Sequence, residues 1–141
     1  MDFPTWQPEL KSDVTANSSS KTFTVPADTY WKLSAVYVSL TTTATAGNRQ
    51  LVVEVLGANN AVIAEIRAGA VQAASLTRKY LFASIFQDLT AFRDTDFLAN
   101  PLPELALIGG QKLRIRDKAA IAAAADDMDV YLHVWARASG V

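Results

Sequence analysis

The sequence predicts a single all-β domain, a β-sandwich of jelly-roll type with an extended N-terminal arm, and two observations carry that expectation. From Lys21 onward, apolar and polar residues alternate with a period of two, the mark of half-buried strands. Turn residues break the alternation roughly every ten residues, the rhythm of sandwiches and barrels. The 141 residues are the size of one domain, and a chain of that length hides roughly two-thirds of its unfolded surface. No internal repeat is visible, which argues against a propeller or a solenoid.

The first twenty residues read as a separate segment, an arm over 1–20 ahead of a sandwich over 21–141. Pro4, Pro8, Asn17 and Ser18-Ser19-Ser20 oppose a regular ladder, while Phe3 and Trp6 are large apolar anchors. The segment reads either as a mobile tail or as an arm whose aromatics fill a neighbour's pockets. Lys21 to Val25 then opens the strands, and Pro26-Ala27-Asp28 turns the chain. Tyr30 to Leu40 predicts a long strand with Trp31, Leu33, Ala35 and Tyr37 on one face. Thr41 to Asn48 predicts a loop ending at Gly47-Asn48.

Arg49 to Leu56 places Leu51, Val53 and Val55 on one face and Gln50, Val52 and Glu54 on the other. Gly57-Ala58-Asn59-Asn60 then predicts a hairpin into Ala61 to Arg67. Thr77 to Ser84 reads as a strand with Tyr80 and Phe82 together. Residues 85–110 are punctuated by Asn100-Pro101, Pro103 and Gly109-Gly110 and give no clear period. Lys112 to Asp117 alternates cleanly, with Leu113 and Ile115 inward and Lys112, Arg114 and Arg116 outward. Lys118 to Asp127 favours helix by composition but is short for one, so a loop with at most one helical turn is expected. Met128 to Arg137 closes the chain, with Val130, Leu132, Val134 and Ala136 inward and Tyr131, His133 and Trp135 outward. The sum is seven or eight strands.

Composition narrows the function. With no cysteine, disulfides, thiolate metal sites and cysteine nucleophiles are excluded, and a cytosolic assembly site is compatible. A net charge of −1 gives no basic field for nucleic acid. The opening residues do not read as a secretory signal, and no apolar run is long enough to predict a membrane span. Only 19% of residues are charged, against about 25% in an average domain. Such a surface is expected to be partly covered by partners.

Candidate chemistry is sparse. His133 is the lone histidine and has no nucleophile at a suggestive spacing. Asp126, Asp127 and Asp129 lack the ligand spacing of a calcium loop. Asp94, Asp96 and Glu104 offer only a chance carboxylate pair, and Gly109-Gly110 lacks a phosphate-loop context. No catalytic residue, cofactor or metal ligand is therefore assigned. The row Lys112, Arg114 and Arg116 reads as ordinary alternation that could face an acidic partner. The outward Tyr131, His133 and Trp135 suit a covered face.

One stretch resembles a known pattern. Tyr30-Trp31-Lys32-Leu33-Ser34-Ala35-Val36-Tyr37-Val38-Ser39-Leu40, the Thr/Ala loop, Gly47-Asn48-Arg49 and Gln50-Leu51 are similar to a strand–loop–strand of tailed-phage virion proteins. Gln72 to Thr77 ahead of Tyr80-Leu81-Phe82, and Asp126-Asp127-Met128 before the last strand, fit the same picture. Over residues 26–137 the chain resembles the jelly-roll cement, or decoration, proteins of bacteriophage capsids. The resemblance implies a non-enzymatic structural protein of virus assembly, made in the host cytoplasm and located on the virion surface. Its partner would be the major capsid protein, and it would act as a dimer or trimer. It implies that Gly47-Asn48-Arg49 is a structural turn in which Arg49 holds loop carbonyls. The resemblance says nothing of Phe3 or Trp6; from the residues themselves, the aromatic-bearing arm and the outward row on the last strand, the partner surface is expected to include Phe3, Trp6, Tyr131, His133 and Trp135. A tail or head-fibre component, or a carbohydrate-binding sandwich stacking Tyr131 or Trp135 on sugars, are the competing expectations.

Overall fold

The computed structural model describes residues 5–83 and 97–139. Phe3, Asp94 and Asp96 lie outside the described residues. Among those described, the strands are β1 (Gln7–Asp13), β2 (Lys21–Thr24), β3 (Thr29–Thr41), β4 (Leu51–Leu56) and β5 (Val62–Arg67). They continue with β6 (Thr77–Ala83), β7 (Phe97–Pro101), β8 (Leu105–Ile108), β9 (Lys112–Asp117) and β10 (Asp127–Ala138). Where seven or eight strands were expected, the described residues hold ten. The additions are β1, inside the supposed arm, and β7 and β8, in the stretch where prolines hid the period.

Pairing makes these strands a jelly roll. The first pairs with the last, β1 with β10, then β2 with β9, β3 with β6 and β4 with β5, all antiparallel. That long ribbon is rolled so that β10 also pairs with β3, and β9 with β4. Successive rungs fall in opposite layers. One sheet runs β1-β10-β3-β6-β7, with β8 beside β3, and the other β2-β9-β4-β5. Rolling a ribbon on itself in this way gives the double-sheet jelly roll.

The core lies between the layers. Trp31, Leu33, Val36, Val38, Leu40, Tyr80, Phe82, Val130, Leu132 and Val134 enter from the first sheet. Leu51, Val53, Val55, Leu113 and Ile115 meet them from the second. Burying each such side chain contributes roughly 1.5–3 kcal/mol. The alternation read for β6, β9 and β10 matches these faces.

One reading is corrected. The inward face of β3 is Trp31 and Leu33, then Val36, Val38 and Leu40, whereas Ala35 and Tyr37 point outward. The cause is a β-bulge: His133 faces Ala35 and Val134 faces Leu33, so Ser34 is unopposed and the parity flips. The residues over 7–13 are extended as expected, yet they form an edge strand of the sandwich itself. Gln7 to Asp13 register against Ala136 to Val130, and Pro8 is tolerated because an edge strand has one side without partners. The link to β2 is pinned by Lys21, whose fully buried ammonium donates to the Thr15 carbonyl at 2.7 Å and Asn17 Oδ1 at 3.0 Å.

Candidate functional site

Three places hold the polar and aromatic side chains singled out by sequence: one end of the sandwich and its two outer faces.

At the end, three loops are tied together. Arg49 is fully buried and donates from Nε to Asp126 Oδ2 at 2.8 Å and from Nη2 to Asp126 Oδ1 at 3.2 Å. Its Nη1 donates to the carbonyls of Thr45 (2.9 Å) and Gly47 (2.8 Å). Asp126 also accepts from the Thr43 amide and hydroxyl. Gln72 joins the loop between β5 and β6: its Nε2 donates to the Leu40 carbonyl, and Tyr80 Oη donates to its Oε1. Burial alone would push the Asp126 carboxyl up, but hydrogen bonds from Arg49 and Thr43 hold it below the usual carboxylate range. These groups are consumed by one another, which is the chemistry of a clamp. Asp127 is exposed and Asp129 half-buried, and no cluster of metal-ligating side chains occurs among the described residues. Gly47 has φ +128°, and a Cβ there would lie 2.5 Å from Ile121 Cδ1. Gly47→Val is expected to cost about 1–3 kcal/mol, checked by chemical denaturation.

The outer face of the second sheet is charged and internally paired. Glu54, 1% exposed, accepts from Arg114 Nε at 2.9 Å and Arg116 Nε at 2.6 Å. Desolvation opposes its ionisation, yet the two guanidinium groups hold its carboxyl below the ordinary value. Lys112 donates to Asn60 Oδ1, and Glu65 pairs with Arg67 and Lys118. For Arg114 and Arg116, the acidic partner imagined for the row is thus Glu54 of the same chain, directly across from Arg114 on β4. This also buries the face of β4 that carries Val52 and Glu54. A shallow cleft of about 260 Å³ near Ser18–Ser20 reaches Arg116 and Asp117. Asp117 already accepts from three backbone amides, of Gln50, Ala119 and Ile121.

The outer face of the first sheet differs. Residues opposite one another in the ladder share a face, so the register lines up Leu10, His133, Ala35 and Ala83 in one row. Ser12, Tyr131, Tyr37 and Leu81 form the next. Tyr37 and Tyr131 rings lie 5.9 Å apart, and His133 and Trp135 rings 6.1 Å apart. Leu10 is 68% exposed, Ile108 58% and Trp135 39%. Trp6 is half-buried against this same sheet, its ring 4.3 Å from Lys32 Nζ and 5.2 Å from the Arg137 guanidinium. The structure therefore brings Trp6, Tyr131, His133 and Trp135 onto one face, with Gly47 and Arg49 in the loop clamp apart from it. Sequence reasoning missed Leu10, Tyr37, Lys32 and Arg137 as members. The outward parity of Tyr37 was readable only once the bulge was known and that of Leu10 only with the β1 pairing, whereas Lys32 and Arg137 already alternate outward in the sequence and were passed over.

No family matches the sequence, and no curated protein matches it. Solved structures do. The core of Drosophila NLP, described in terms of pentamer formation and histone binding, is 18% identical, with 92% of this chain and 96% of that one aligned at a TM-score of 0.38. A chain of Desmodium yellow mottle tymovirus is 9% identical, aligned over 100% and 91% of the two chains at 0.37. A chain from infectious bursal disease virus, Gt strain, is 11% identical at 0.34; 93% of this chain aligns, but only 33% of that one, so it spans about a third of that chain. The similar structures thus include chains of viruses and of a subviral particle. Identities and scores this low leave the jelly roll resting on its own strand pairing.

Proposed function

We propose that the chain is a structural virion protein that binds the outside of a phage capsid and cements neighbouring major capsid subunits. One observation carries this reading: the two outer faces are unlike. The second sheet's outer carboxylates, Glu54 and Glu65, are each paired with cations of the same chain, whereas the first presents exposed Leu10, Ile108 and Trp135 beside the Tyr37–Tyr131 and His133–Trp135 ring pairs. An exposed apolar patch with a polar surround marks a partner surface. Trp135, Tyr131 and Trp6 are residue types that supply most of the energy in such contacts. The phage-cement resemblance of residues 26–137 names the partner class.

The mechanism is mechanical. Each copy buries the first sheet's face across a junction between capsid subunits, and binding only the closed shell opposes its opening by mass action. No side chain acts as a catalyst, and dimers or trimers on the shell place several such faces together. Purified shells of the parent phage, with and without the protein, are heated and osmotically shocked. The reading predicts that decorated shells retain their genome to higher temperature; equal resistance contradicts it. Labelling confined to one vertex would assign the protein to the tail or a head fibre instead.

A further inference from the structure

We propose that Trp6, Lys32 and Arg137 form an acidic-ligand subsite at one end of this face, which receives carboxylate side chains of the shell subunit; this rests on the cement reading above. Lys32 lies directly across from Trp135, and Arg137 directly across from Tyr30, so both cations share the outer surface. Their neighbours are rings: Trp6 beside Lys32 and Arg137, and Tyr30 with its ring 5.5 Å from the Arg137 guanidinium. Among the described residues, neither cation has an acidic partner. Arg137 Nε is shielded from solvent and, among the described residues, has no hydrogen-bond partner.

Other arginines of the molecule are engaged differently. Arg49, Arg114 and Arg116 each meet a carboxylate. Stacking on aromatic rings strips water from a guanidinium and orients it without using its donor fork. A fork held in this way is matched by a carboxylate, which accepts two N–H bonds at once. Lys32 adds a second positive charge beside the same ring. The neighbouring apolar surface excludes water when a partner docks, which strengthens the pairing and makes it specific for an acidic, partly apolar surface.

Hexaglutamate peptide serves as the probe, titrated into the full chain at low ionic strength and followed by tryptophan fluorescence and calorimetry. Binding is expected, weakening as salt is raised. Lys32→Gln with Arg137→Gln should weaken it by about tenfold. Lys79→Gln, an exposed charge elsewhere on the same sheet, should leave it unchanged; circular dichroism confirms that each variant folds. Absence of binding by the unaltered chain, or equal binding by the double variant, overturns the subsite. So does preference for a sulfated oligosaccharide over hexaglutamate, which would assign the cluster to glycans. Shell co-sedimentation separates the two readings. A chain that binds hexaglutamate but does not sediment with shells contradicts the cement role. A double variant that sediments as well as the unaltered chain retains that role and removes the subsite.

Discussion

Asp126→Ala is expected to destabilise the domain by about 3–5 kcal/mol, because it leaves the Arg49 guanidinium buried without its counter-charge. Both side chains are fully shielded from solvent, so water cannot take the place of the lost carboxylate. The melting temperature should fall by roughly 10–20 °C for a domain of this size. Arg49→Lys should also be poorly tolerated, since one ammonium cannot reach Asp126 and the Thr45 and Gly47 carbonyls in the same geometry. Replacing both members with apolar residues, Arg49→Met with Asp126→Leu, should recover part of the loss. Full stability in Asp126→Ala would show that the clamp is not what ties these loops.

Two buried carboxylates predict the pH profile. The Asp126 and Glu54 carboxyls are both held below their ordinary values in the folded chain. Each therefore contributes stability above its unfolded value, about pH 4, and loses that contribution as pH falls through its lower folded value. Unfolding followed between pH 7 and pH 2 should show stability dropping at the acid end. The drop should be shallower in Asp126→Asn, which has one fewer carboxylate to protonate.

Trp135→Ala should weaken attachment to the shell by at least about 2 kcal/mol, roughly thirtyfold, if this ring is a central anchor. It should change the stability of the isolated chain by less than about 1 kcal/mol, since the ring lies on the outer face and not in the core. Co-sedimentation with shells measures the first quantity and thermal unfolding the second. The contrast is informative, because Phe82→Ala in the core should do the opposite and cost about 3–5 kcal/mol of folding stability. Unchanged shell affinity in Trp135→Ala removes this residue from the interface.

Local signals in the sequence went far. Alternation located β9 and β10 with the right inward residues, and Gly57 to Asn60 marked the β4–β5 hairpin. What escaped was non-local. Edge strand β1 gains its ladder from β10, more than a hundred residues away, so nothing in its own proline-bearing sequence announces a strand. The bulge at Ser34 has a trace in the sequence, since Trp31 and Leu33 occupy one parity and Val36, Val38 and Leu40 the other. That switch is visible as soon as one asks for it. The ion pairs of Glu54 with Arg114 and Arg116, and of Arg49 with Asp126, depend on which strands lie side by side. The outer face was half legible: Tyr131, His133 and Trp135 share one strand and one parity, whereas Leu10, Lys32 and Tyr37 join them only through pairing.

An image of decorated particles at a resolution that separates the two sheets tests the central claim most directly. The account predicts that the sheet carrying Leu10, Tyr131 and Trp135 lies against the shell and bridges adjacent subunits, with Glu54 and its arginines turned to solvent. Attachment through the Glu54 side, or shells that carry no copies at all, would contradict it.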